Sequence, residues 1–146
     1  MEFDNDFYYQ LIKALALALG VIPAFIGVSW GITTLMPGAC AAAEIKVMMG
    51  TTLFPLCFVS ASVIFSLLLF FKERSTTINS YEDAFKMLTR CAISGVGSFC
   101  AAMGVGGVTR HTMITKVQQK NFGSQFLMTM VFPELVGLMG FVILFA

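Results

Sequence analysis

Four stretches of this chain are apolar for long enough to cross a bilayer as helices, and nothing else in the sequence constrains its fold as strongly. Crossing the hydrocarbon takes about 20 residues of helix. The first stretch runs from about Phe7 to Ile32 and carries only Lys13, near its start. The second, from about Val47 to Phe71, has no charge. The third, from about Ala84 to Val108, has Lys86 and Arg90 in its first turns. The fourth runs from Phe122 to Ala146, with Glu134 its only charge. A helix satisfies its own backbone in lipid. The expected fold class is therefore an all-α membrane protein with four transmembrane helices. Polar connections are expected over Thr33 to Lys46, Lys72 to Asp83 and Thr109 to Asn121. Both termini then lie on the side of the central connection.

Of the 146 residues, 58% are apolar and 12% charged, against about 25% charged in soluble domains. So short a chain cannot bury that much apolar surface in its own core, and lipid must act as part of its solvent. The net charge of +1, with acids gathered at Glu2, Asp4 and Asp6, offers no footprint for nucleic acid. Cys40, Cys57, Cys91 and Cys100 form no close pair. They read as small buried apolar residues and imply neither disulfides nor a metal site. The acidic N-terminus does not read as a cleavable signal, so the first span is expected to be mature structure. Lys and Arg do not orient the chain: Lys13, Lys72, Arg74, Lys86 and Arg90 oppose Lys46, Arg110, Lys116 and Lys120. Six acids on the terminal side against Glu44 on the other hint that the two hairpin loops face the cytoplasm.

A faint repeat divides the single 1–146 domain into hairpins 1–72 and 73–146, the second carrying the acid. The second and fourth spans each hold a proline, Pro55 and Pro133. Laying Ser60–Ser66 over Glu134–Gly140 puts Ser60 where Glu134 stands and matches the small residues Ser66 and Gly140.

Glu134 falls near the middle of the last span. A charged carboxylate there costs roughly 2.5–3.5 kcal/mol on insertion scales, and an acid inside the membrane is a functional residue by default. Desolvation disfavours its ionised form. Such a group can be neutral against lipid and ionised beside a cation, as a proton carrier requires. No basic residue lies within the membrane to pair with it, since Lys13 and Arg90 can snorkel to the interface. A cationic partner must come from another subunit. Gly137 leaves room one turn away on the same face. Pro133 frees the carbonyl of Thr129. Ser60, Ser62 and Thr129 are candidate hydrogen-bond partners for the protonated acid. The simpler alternative is a structural hydrogen bond from Glu134 to a neighbouring helix.

The first and third spans are rich in small residues, among them Gly20, Gly27, Gly31, Gly97, Ala101 and Gly104. These allow close helix approach, either within one bundle or between identical subunits in a ring. The ring is the sharper expectation, with these two helices as its inner wall. His111 reads as a solvated loop residue. No nucleophile–base pair, phosphate loop or cofactor motif is present, so no catalytic site of its own is expected.

From Gly104 to Ala146 the residues resemble a known family, the proteolipid c subunit of V-type proton-translocating ATPases. That family has a Gly-rich third helix, a loop containing Gln-Gln, and a fourth helix built around F-A-E-x-x-G-L-Y-G. Here Gln118-Gln119 precede Phe132-Pro133-Glu134-Leu135-Val136-Gly137-Leu138-Met139-Gly140 without a gap in spacing. Pro133 replaces the Ala, and Met139 the Tyr. The resemblance implies that Glu134 is the proton-binding residue of a c-type proteolipid. It implies a rotor ring of copies and paralogues turning against a membrane a subunit that supplies an arginine. Hairpin loops meeting the d subunit and rotor stalk, luminal termini and a vacuolar or other acidic endomembrane also follow from it. No Gln in the second helix points to protons over sodium. Two rivals are a small four-helix multidrug/proton antiporter, whose acid normally lies in the first span, and a structural tetraspan.

Overall fold

The computed structural model describes residues 2–46, 49–78 and 80–143. Four helices follow in order: α1 Glu2–Ile45, α2 Met49–Arg74, α3 Tyr81–Gln118 and α4 Gly123–Val142, the last preceded by a short turn at Lys120–Phe122. Each is long and apolar enough to cross a membrane, and no strand occurs among the described residues. Pro23, Pro37, Pro55 and Pro133 all lie inside helices, as bundled membrane helices tolerate.

The buried positions show why the helices associate. In α1 they fall at Ala16, Gly20, Ala24, Gly27, Gly31, Leu35, Gly38, Ala39 and Ala42, largely at a spacing of three and four. In α2 they are Thr51, Pro55, Val59, Ser62, Ser66, Leu69 and Glu73. Such stripes seam one helix to its neighbours. The faces between them remain exposed and apolar, with Phe25, Trp30, Ile64 and Phe132 each half exposed or more. That is the surface lipid or further protein must cover.

Three registers define the bundle. α1 and α3 run parallel and pack most extensively, with Gly27 against Phe99, Gly31 against Ala102 and Gly38 against Arg110. α3 and α4 run antiparallel, pairing Gly104 with Pro133, Ala101 with Gly137, and Gly97 with Gly140. α1 meets α2 at Gly20 with Leu69 and at Gly31 with Val59. α2 and α4 are then parallel, and the Phe65 and Phe141 rings lie 5.3 Å apart. The α2–α4 contact is the smaller one. α1 and α3 thus form a tight pair, with α2 and α4 laid on it.

Two connections are shorter than the sequence suggests. α1 continues through Thr33–Ile45, and α3 through Thr109–Gln118, where the sequence pattern predicts loops. The reason is packing. Leu35, Ala39, Ala42, Val105 and Met113 share one core, extended by Phe126 and Met130 of α4. Docking stabilises the extra turns, which carry each helix past the span read from the sequence. The central connection stays irregular. Ser80 caps α3 by accepting a hydrogen bond from the Glu82 N–H at 3.2 Å, and Glu82 and Asp83 in the first turn complement the helix dipole. Glu73, expected in that connection, lies instead on the last turn of α2 and is buried.

Cysteine burial also differs from expectation. Only Cys91 is buried, while Cys40, Cys57 and Cys100 are exposed and all four are free. A cysteine inside a span is enclosed only if it lies on the inward stripe. His111 is exposed, on α3 and not in a loop.

The Lys13 ammonium donates to the Thr76 carbonyl at 2.6 Å and ties α1 to the chain leaving α2. Lys13→Met is expected to lower stability by on the order of 1 kcal/mol, read as a fall in the thermal unfolding midpoint in detergent. No change in midpoint would show that the tie is lost to solvent.

Candidate functional site

Glu134 is positioned by α4 alone. The helix spans 20 residues, roughly 30 Å at 1.5 Å per residue, the thickness of the hydrocarbon. Glu134 lies about 16 Å along it from Gly123, close to mid-span. Met130 and Gly137, one turn to either side on the same stripe, are buried. Phe132, Leu135, Val136 and Met139 face outward and are exposed. Glu134 therefore stands where the inward stripe meets the lipid-facing side. Its residue is half-buried, yet both carboxyl oxygens are shielded and have no hydrogen-bond partner.

The wall beside it is made by small residues. A Cβ on Gly137 would fall 2.9 Å from the Cβ of Ala101, and one on Gly104 would fall 2.9 Å from the Cβ of Pro133. A Cβ on Gly140 would lie 3.4 Å from the Ser94 Cα, and one on Gly97 3.4 Å from the Gly140 Cα, in ordinary contact. These residues bring the α4 backbone onto α3 on either side of the acid. Gly137 thus takes a packing role against α3.

The expected hydroxyl partners do not reach the carboxyl. Ser60 is exposed and donates to the Leu56 carbonyl at 2.6 Å. Thr129 donates to the Phe126 carbonyl at 2.7 Å. Ser62 is buried without a partner, and no hydrogen bond joins it to Glu134. Register explains the Ser60 result. With Phe65 beside Phe141 in parallel helices, the residue level with Glu134 is Phe58, so the Ser60 overlay is displaced by half a turn.

Sequence reasoning passed over Ser94 and Ser98. Both are fully buried on α3, and both hydroxyls lack a partner. The ideal Cβ of Gly137 lies 3.9 Å from the Ser98 Cα, so Ser98 is within a turn of the acid. Their signal was positional: Ser94, Ser98 and Ala101 share the stripe begun by Cys91. An unpaired buried hydroxyl costs free energy. Ser98→Ala is accordingly expected to leave stability unchanged or raised, within about 1 kcal/mol. Thermal unfolding of the purified protein checks this, and a clear fall would mean that the hydroxyl is engaged.

Among the described residues no three His, Cys, Asp or Glu side chains gather as a metal site needs. The geometry defines a class: an all-helical membrane protein with one shielded carboxyl group near the middle of its last span.

The family comparison makes that class more particular. Residues 89–146, most of α3 and all of α4, match the family model of the ATP synthase C subunit. The match covers the segment that holds Glu134. The match spans less than half of the 146 residues and is a likeness of that segment to the family. No curated protein matches the chain.

Proposed function

We propose that this chain is the proton-carrying rotor-ring subunit of a V-type ATPase, and that Glu134 binds the proton. The carrying observation is that the one acid in the hydrocarbon has both oxygens shielded and no partner, within the segment that matches the family. A neutral carboxylic acid can sit against lipid at modest cost. Its ionised form cannot, and needs a cation. No Lys or Arg of this chain lies on the stripe around Glu134. The arginine of a stator a subunit supplies that cation in this reading.

The cycle follows. Glu134 accepts a proton at one half-channel, crosses the lipid-facing arc neutral, and releases the proton beside the arginine. Moving one charge against 100 mV costs about 2.3 kcal/mol, met by ATP hydrolysis in the soluble sector. Four spans in two tandem hairpins, 1–72 and 73–146, with one acid between them, favour the V-type over a two-helix proteolipid. Partners are other copies and paralogues in the ring, the a subunit, and the d subunit with the rotor stalk. The hairpin loops face the cytoplasm and the termini the lumen of a vacuolar or other acidic compartment. The α1–α3 pair lines the inside of the ring. Apart from Gly107, its glycines are spent on packing within the chain, so contacts between copies fall to the exposed faces.

The class is tested by purifying the protein from its native membrane and imaging the particle. A ring bound to a soluble ATPase head is expected. A particle without ring or head would remove the assignment.

A further inference from the structure

A groove of about 360 Å³ opens where α2 and α4 begin, at the hairpin-loop end of the bundle and distant from Glu134. Gly50 and Thr51 of the first turn of α2 form one side, and Lys116 of α3 the other. Phe54, Phe126 and Leu127 make an apolar floor, with Phe54 and Leu127 about half exposed. The Lys116 ammonium is held against the start of α4, 3.0 Å from where a Cβ on Gly123 would lie. Lys116 is half-buried and makes no ion pair among the described residues.

We propose that this groove binds an anionic phospholipid, with the headgroup phosphate at Lys116 and an acyl chain along Phe54 and Leu127. Three features select that occupant. The first is charge. Lys46, Arg110, Lys116 and Lys120 lie at this end against Glu44 alone, and no carboxylate lines the groove to hold the cation of a zwitterionic headgroup. The second is the backbone. The first amides of a helix have no intrahelical partner and carry the positive end of its dipole. Gly50 and Thr51, in the first turn of α2, contribute such amides. The third is depth. Gly123 lies about 16 Å along α4 from mid-span, at the boundary where headgroups begin. A soluble anion would use the charge and leave the apolar floor exposed, whereas a lipid covers both.

The test uses the intact assembly reconstituted in phosphatidylcholine vesicles, with spin-labelled phosphatidic acid and spin-labelled phosphatidylcholine as probes. The immobilised fraction of each gives their relative association. The wild-type protein is expected to prefer the acidic probe. Lys116→Gln should reduce that preference by roughly fivefold or more, the loss of one charge-assisted contact. Lys116→Arg should retain it, and Leu127→Ala should weaken both probes together. Glu134→Gln should leave the preference intact, which separates this site from the proton-binding reading. An unchanged preference in Lys116→Gln overturns the proposal. An equal loss in Lys120→Gln overturns it in favour of a diffuse charge effect. Displacement of the lipid by inorganic phosphate would make it a free-anion site. No immobilisation in the assembled ring would mean that a neighbouring copy fills the groove.

Discussion

Glu134→Gln is expected to reduce ATP-driven acidification to the background leak while the protein still assembles. The amide keeps the size and shape of the protonated acid but cannot release a proton or pair with an arginine. Because neither carboxyl oxygen has a partner in the bundle, no hydrogen bond within the chain is broken. Stability should change by less than about 0.5 kcal/mol, as for substitutions that disturb no contact. Three measurements on one preparation decide the matter: quenching of a pH-sensitive dye in vesicles, ATP hydrolysis by the attached head, and the size of the purified particle. Full acidification by the variant ends the rotor reading. Loss of assembly along with transport would instead give Glu134 a structural role. Protection against cationic dyes, lost in the variant, would favour a drug/proton antiporter.

The second large effect concerns the α1–α3 seam. Gly106→Val is expected to abolish the folded bundle, or to leave it destabilised by about 3 kcal/mol or more, at the upper end for overpacking. A Cβ at position 106 would meet the Gly31 Cα and the Thr34 hydroxyl, each at 2.7 Å, and would press on the Gly31 carbonyl. Two of these three atoms are backbone and cannot step aside by changing rotamer. The helices would have to separate, along a pair whose contact is the most extensive in the molecule. Gly107→Val is the control, because nothing lies within 4 Å of a Cβ there. Yield of monodisperse protein and its thermal midpoint should fall for Gly106→Val and hold for Gly107→Val. Equal behaviour of the two variants would show that the seam does not hold the bundle together.

The serine pair and the glycine seam show where a linear reading stops. Small residues in α1 and α3 are visible as a pattern, and close helix approach follows from their size. Whether they meet a helix of the same chain or of another copy does not. The structure places Gly27, Gly31 and Gly106 against backbone within the chain. Likewise, Ser60, Ser62, Ser94 and Ser98 are equivalent by composition. Only Ser60 turns outward and bonds its own helix, while the others are buried without partners. Gly137 reads from the sequence only as a small residue one turn from the acid; its contact with Ala101 needed the structure.

By itself the sequence determined the four long apolar helices and the place of Glu134 near the middle of the fourth. These depend on run length and residue type, which are properties of adjacent positions. Only the tertiary structure decided that α1 and α3 pair in parallel, and that both continue past the spans read from the sequence. It also decided that Phe58 and not Ser60 stands level with the acid. Those outcomes depend on the rotation and register of each helix, and these are set only when all four inward stripes close on one another.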